Sequence, residues 1–65
     1  MITYENMWKI MKQKNFTKTE LRKQAQLSSS TFAKLSRDEM VSLDVLVRLC
    51  KVLECQISDI CLVKV

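Results

Sequence analysis

Apolar positions recur at helical spacing in four stretches of the chain, and the last three of these open on a hydroxyl residue able to cap a helix. In the first, Tyr4, Met7, Trp8 and Met11 share one face that Ile10 widens, which predicts a helix from about Tyr4 to about Lys14. Trp8 is the largest apolar group of the chain and is expected at the centre of the core rather than as a platform for stacking bases. Asn15 and Phe16 break the pattern. Thr17 then opens a short helix ending near Gln24 or Ala25, and Glu20, three residues on, can close a capping box. Leu21, Ala25 and Leu27 give this segment a narrow apolar stripe. Ser28 caps a third helix, Ser29 to about Arg37, turned inward by Phe32 and Leu35. After an Asp38-Glu39 turn, Ser42 caps a fourth from Leu43 to about Leu53, the strongest periodic signal, with Leu43, Leu46, Val47, Cys50 and Leu53 on one face and Leu49 beside them. Glu54-Cys55-Gln56 ends it. Ser58 is expected to cap a last turn through Cys61, with Ile57 and Ile60 closing the bottom of the core. At the termini, Ile2 and Tyr4 alternate with polar residues, as do Cys61, Val63 and Val65. A small strand pair between the two ends is possible, within one chain or across a dimer.

Composition narrows this picture. The 65 residues are 48% hydrophobic and 28% charged, the balance of a globular domain, and they read as one domain over 1–65. So short a chain buries only about 60% of its unfolded surface, so that a dimer partner would help its stability. No apolar run approaches a membrane span and no signal-peptide pattern opens the sequence, which predicts a cytoplasmic protein without a membrane partner. Gly and Pro are absent, which disfavours tight hairpins, phosphate-cradling loops and nucleotide folds that need positive φ. The three cysteines, Cys50, Cys55 and Cys61, have no His to complete a zinc site. They read as reduced thiols, with Cys50 a small buried hydrophobe and no role assigned to Cys55 or Cys61. Without His, a Cys–His pair, a carboxylate pair in an apolar setting or a Gly-rich loop, neither an enzyme nor a bound cofactor, metal or small-molecule ligand is expected.

Net charge is +4 and unevenly spread. From Lys9 to Arg37 the chain carries Lys9, Lys12, Lys14, Lys18, Arg22, Lys23, Lys34 and Arg37 against the lone acid Glu20, and from Asp38 onward the balance reverses. A polyanion approached from one side fits this asymmetry; so does a solvated lysine-rich surface. What favours the first is the segment Thr17 to Arg37, two short helices in succession, apolar inward and basic outward, the arrangement a helix-turn-helix reader of DNA requires.

Several runs together carry a resemblance. They are Asn15-Phe16-Thr17 closing the first helix, Lys18-Thr19-Glu20-Leu21 opening the second, and Gln26 through Leu35 across the turn and third helix. Ser42-Leu43-Asp44-Val45-Leu46, Leu53-Glu54-Cys55 and Ile57-Ser58-Asp59-Ile60 follow. The chain resembles the Cro/cI-like, or XRE-type, helix-turn-helix domains of bacterial and phage regulators, of the small stand-alone kind, over nearly its whole length. The resemblance implies an all-α, compact five-helix, lambda-repressor-like fold, with short extended arms at the termini, and a DNA-binding transcriptional regulator, a repressor. Two positions depart from the family pattern: Gln26 stands where Gly is common at the turn, and Thr19 where Gln is common on the second helix.

On this reading the helix from Ser29 to Arg37 enters the major groove of double-stranded DNA. Ser29, Ser30 and Lys34 face base edges, Ser28 and Thr31 lie at the margin, and Lys34 is the long donor suited to guanine. Thr17, Lys18, Thr19, Lys23 and Arg37 grip phosphates, aided by the N-termini of the second and third helices. A homodimer on two half-sites is expected, joined through the acidic half around the fourth helix or through the terminal arms. The competing class is a helical protein-interaction module or antirepressor with the same fold and no DNA binding.

Overall fold

A computed structural model describes residues 1–65. The elements run β1 (Ile2–Thr3), α1 (Glu5–Gln13), α2 (Lys18–Gln24), α3 (Ser29–Ser36), α4 (Leu43–Leu53), α5 (Ile57–Ile60) and β2 (Leu62–Val63). The fold is all-α with short terminal strands, and the helix bounds follow the capping residues. Thr17 Oγ1 accepts from the Glu20 amide at 3.1 Å while Glu20 Oε1 accepts from the Thr17 amide at 2.9 Å, a complete capping box. Ser28 and Ser42 accept from the amides of Thr31 and Val45 and start α3 and α4. The terminal arms pair antiparallel within one chain, Ile2 opposite Val63 and Thr3 opposite Leu62.

Helix ends show what the absence of Gly conceals. Each of the four longer helices is followed by a residue at left-handed φ: Asn15 (61°), Gln26 (57°), Asp38 (55°) and Glu54 (54°). One residue further, the amides of Phe16, Leu27, Glu39 and Cys55 donate back to the carbonyls of Met11, Arg22, Lys34 and Cys50 at 2.9–3.1 Å. This is the Schellman closure, which satisfies a free C-terminal carbonyl and turns the chain sharply. The protein makes four such turns with L-residues alone.

The core gathers Tyr4, Met7 and Met11 from α1 and its cap, Leu21, Ala25 and Leu27 from α2 and the turn, Phe32 and Leu35 from α3, Leu46, Leu49 and Leu53 from α4, and Ile60 from α5. Four sequence expectations are corrected. Trp8 is half-buried at the edge of this cluster, not at its centre, because Met7, one position earlier, takes the inward direction. The α4 stripe is rotated toward Leu46, Leu49 and Leu53, which leaves Leu43 65% and Val47 38% exposed. Ile57 also faces solvent, and only Ile60 of the pair closes the core. Gln56 rather than Ser58 precedes α5, since Asp59 Oδ2 reaches back to accept from the Gln56 amide at 2.8 Å.

Two long-range hydrogen bonds hold α1 against the α3–α4 loop. The Tyr4 amide donates to Asp38 Oδ1 at 3.1 Å, and its hydroxyl donates to the Glu39 carbonyl at 2.8 Å. Burial pushes the Tyr4 phenol up from its ordinary pKa, so it stays a donor.

Candidate nucleic-acid interface

The chain between α2 and α3 is short because Gln26, at positive φ, reverses it in one step and Leu27 drops into the core directly after. Two arginines brace the turn. Arg22 Nη1 donates to the Leu27 carbonyl and Arg48 Nη1 to the Gln26 carbonyl, both at 3.3 Å, and Arg48 is itself held by Asp44 at 2.9 Å, one turn away on α4. Sequence reasoning left Arg22 to the solvent and gave Arg48 no role. A long side chain reaching a backbone carbonyl leaves no periodic signal, although Asp44 and Arg48 at i,i+4 did hint at an ordered pair.

With α2 and α3 so fixed, Phe32 and Leu35 point inward, and Ser29, Ser30 and Lys34 stand exposed on the outer face of α3. Thr31 is half-buried rather than exposed. Lys34 and Thr31 border a small cleft of about 210 Å³ against Val41, Ser42 and Val45 at the start of α4. Thr17, Lys18, Thr19 and Lys23 are exposed along α2 and its cap, and Arg37 follows α3 at its far end.

The hydroxyl run beginning at Ser28 is organised rather than free. Ser28 Oγ accepts from the Thr31 amide at 3.2 Å, donates to Thr31 Oγ1 at 3.0 Å and lies 3.1 Å from Ser30 Oγ. Since the single Ser28 proton goes to Thr31, the Ser30 hydroxyl donates to Ser28 and keeps its lone pairs for an outside donor. Ser28 is thereby occupied as a cap. Thr31 retains a proton, and Ser29 is left out of the cluster.

Cations around this face are also positioned. Lys18 Nζ sits 5.0 Å from the centroid of the Trp8 ring, a cation–π contact, and the same indole meets Phe32 edge-on at 5.6 Å and 73°. Trp8 therefore couples the start of α2 to the middle of α3, a role its place at the edge of the core makes possible. Arg37 Nε pairs with Glu39 Oε2 at 2.6 Å, which raises the pKa of the guanidinium and lowers that of the carboxyl. Glu20 is likewise held below its usual range, first by the Thr17 amide. The molecule's two ion pairs, Arg37–Glu39 and Arg48–Asp44, leave Lys18, Lys23 and Lys34 outside them. No group of His, Cys, Asp or Glu side chains is arranged to hold a metal ion, and no helix is long and apolar enough to cross a membrane.

Comparison with known proteins adds two findings. The sequence matches the Cro/C1-type HTH DNA-binding domain over residues 6–64. The fold superposes on the crystal structure of the transcriptional regulator VanUg (Form II) with a TM-score of 0.91 at 41% identity, covering 94% of this chain and 81% of that one. No curated protein matches significantly.

Proposed function

The chain belongs to the Cro/C1-type helix-turn-helix DNA-binding family, and we propose that it is a repressor that binds duplex DNA as a homodimer with α3 in the major groove. The observation that carries this reading is the exposed row Ser29, Ser30 and Lys34 on a helix anchored from behind by Phe32 and Leu35 and flanked by Lys18, Lys23 and Arg37. Lys34 donates to guanine O6 or N7. Ser30, whose proton is turned to Ser28, accepts from cytosine N4 or adenine N6, and Ser29 can do either. Ser28 and Thr31 lie at the margin, Ser28 shaping the helix start and Thr31 offering its remaining proton. Thr17, Lys18, Thr19, Lys23 and Arg37 contact phosphates and set the register.

One small reader binds weakly, and half-sites on one face of DNA lie about 34 Å apart. The long axis of the chain is 31 Å, so two touching copies can span that spacing. Repression then follows from occupying an operator. Selection of preferred duplexes from a random pool, followed by titration across salt concentrations, tests the reading. Three cations per copy predict a slope of log K against log salt of roughly −5 for the dimer. A flat slope, or no duplex retained from the pool, refutes it in favour of a protein-interaction module.

A further inference from the structure

Lys18 stands where α2 itself gives its ammonium no support. It is the first residue of that helix, at the positive end of the helix dipole, where a cation is disfavoured. The acid of the same turn, Glu20, reaches back to the Thr17 amide and lies two positions on, a spacing at which helical side chains do not face one another. Neither ion pair of the molecule includes Lys18. What holds it comes from another element: the Trp8 ring of α1 lies with its centroid 5.0 Å from Nζ, inside the reach of about 6 Å for a cation–π contact. The indole is fixed in turn, since it meets Phe32 of α3 edge-on at 5.6 Å and Phe32 belongs to the core. The ammonium is therefore located relative to α3, which carries Ser29, Ser30 and Lys34, and not only relative to its own helix.

We infer that Trp8 is a positioning residue for DNA: it presets the Lys18 ammonium for a backbone phosphate, at a fixed place from the reading helix, and leaves its charge whole. The inference deepens the proposed function and rests on it. Its argument is the kind of partner Lys18 has been given. A carboxylate in that place would neutralise the cation, as Glu39 does for Arg37. An aromatic face attracts it through the ring quadrupole and occupies at most one of its three N–H donors, so the others remain for an outside anion. The same ammonium covers the ring face against a stacking base, so the indole acts through Lys18 and does not touch DNA itself. A lysine free to rotate gives up its rotamers when it grips a phosphate, whereas one already lying on the ring has given them up on folding. The contribution of Trp8 thus falls on affinity and leaves the number of charges engaged unchanged.

Anisotropy titrations on selected duplexes across salt concentrations test this. Trp8→Leu should bind about two- to fivefold more weakly per copy with an unchanged slope of log K against log salt, and Trp8→Phe, which keeps an aromatic face, should recover part of the loss. Lys18→Met should lower the slope by about 0.9 per copy, and Trp8→Leu added to it should cost nothing more. Should Trp8→Leu fail to fold, Trp8→Phe with and without Lys18→Met carries the same cycle. Trp8 is the sole tryptophan, so its emission reads the contact without DNA: Lys18→Met should change the fluorescence of the free protein while the far-UV circular dichroism stays the same. A Trp8 that serves packing alone would cost the same affinity with or without Lys18. Equal losses in the two backgrounds, or an emission indifferent to Lys18→Met, overturn the inference and leave duplex binding by the wild type, and with it the proposed function, standing. A wild type that retains no duplex while its emission responds to Lys18→Met removes the proposed function and the phosphate role together.

Discussion

Replacing Gln26 by Gly should make the protein more stable. An L-residue held at left-handed φ costs roughly 1–2 kcal/mol relative to glycine, and glycine gives back about 0.4–1 kcal/mol through the greater freedom of its unfolded chain. At Gln26, with φ 57°, no other contribution offsets the difference. Its side chain is exposed, and the bonds that fix the turn are made by its backbone, the amide to the Lys23 carbonyl at 3.1 Å and the carbonyl from Arg48 at 3.3 Å. Gln26→Gly keeps both. The expected gain is about 0.5–1 kcal/mol, or roughly 3–6 °C in Tm for a domain of this size. Two other left-handed positions serve as controls. Asn15→Gly should change little, since asparagine tolerates this region through local hydrogen bonding. Asp38→Gly should destabilise by about 1 kcal/mol or more, because Asp38 Oδ1 accepts from the buried Tyr4 amide. Urea and thermal unfolding followed by far-UV circular dichroism read all three. Loss of stability in Gln26→Gly, or an equal gain in Asn15→Gly, would show that the turn is not strained and refute the reasoning.

Tyr4→Phe removes the hydroxyl bond to the Glu39 carbonyl and should cost about 1 kcal/mol in urea unfolding with the helical spectrum retained. Thr17→Ala should cost a similar amount by opening the capping box. The Glu20 carboxyl in that box titrates below its ordinary 4.5, so its stabilising share is present above pH 4.5 and lost as pH falls through the depressed value. Thr17→Ala should therefore also flatten the acid limb of stability against pH. For DNA binding, Lys34→Ala should relax sequence preference while Lys18→Ala weakens all duplexes alike, measured by anisotropy on selected and scrambled sites; the reverse pattern would exchange their roles. Glu39→Gln frees Arg37 from its ion pair and should tighten duplex binding at low salt, an effect that fades as salt rises.

Local chemistry was legible in the sequence wherever three or four residues decide the outcome. Thr17 with Glu20, Ser28 and Ser42 mark helix starts because the hydrogen bonds they make span three positions, whereas alternation at the termini suggested a strand pair without deciding between pairing within one chain and across a dimer. Periodicity was less decisive about which way a wide apolar face turns. Met7 and Trp8 fit the α1 stripe equally well, as do Leu43 and Leu46 on α4, and only packing against the other helices selects Met7 and Leu46 for burial. The same ambiguity counted Val47 and Ile57 as core residues, although both face solvent. Of the left-handed helix ends only Gln26 was marked in the sequence, by standing where Gly is common, and the others escaped notice for want of Gly, although the apolar residues one place beyond three of the four, Phe16, Leu27 and Cys55, are the usual companions of a Schellman turn. Of the proposed site, exposure was read correctly for Ser29, Ser30 and Lys34. The hydroxyl network that occupies Ser28 and constrains Ser30 depends on rotamers, which composition does not encode.

That network bears on how much one copy can specify. With Ser28 spent on the helix start and Thr31 half-buried, α3 offers Lys34 and one or two serines to the bases, hence about two discriminating contacts at roughly 1–3 kcal/mol each. One half-site would then yield about 2–6 kcal/mol of preference, and the range typical of specific over non-specific binding is about 4–10 kcal/mol. Two copies held in fixed relation double the sum to about 4–12 kcal/mol and cover that range, whereas one copy reaches only its lower part. On the proposed reading, then, sequence specificity and dimerisation are not separate properties. At protein concentrations too low for two copies to associate, discrimination between operator and random duplex should be lost while a single copy keeps its salt-dependent attraction for both; undiminished discrimination by a single copy would refute the estimate.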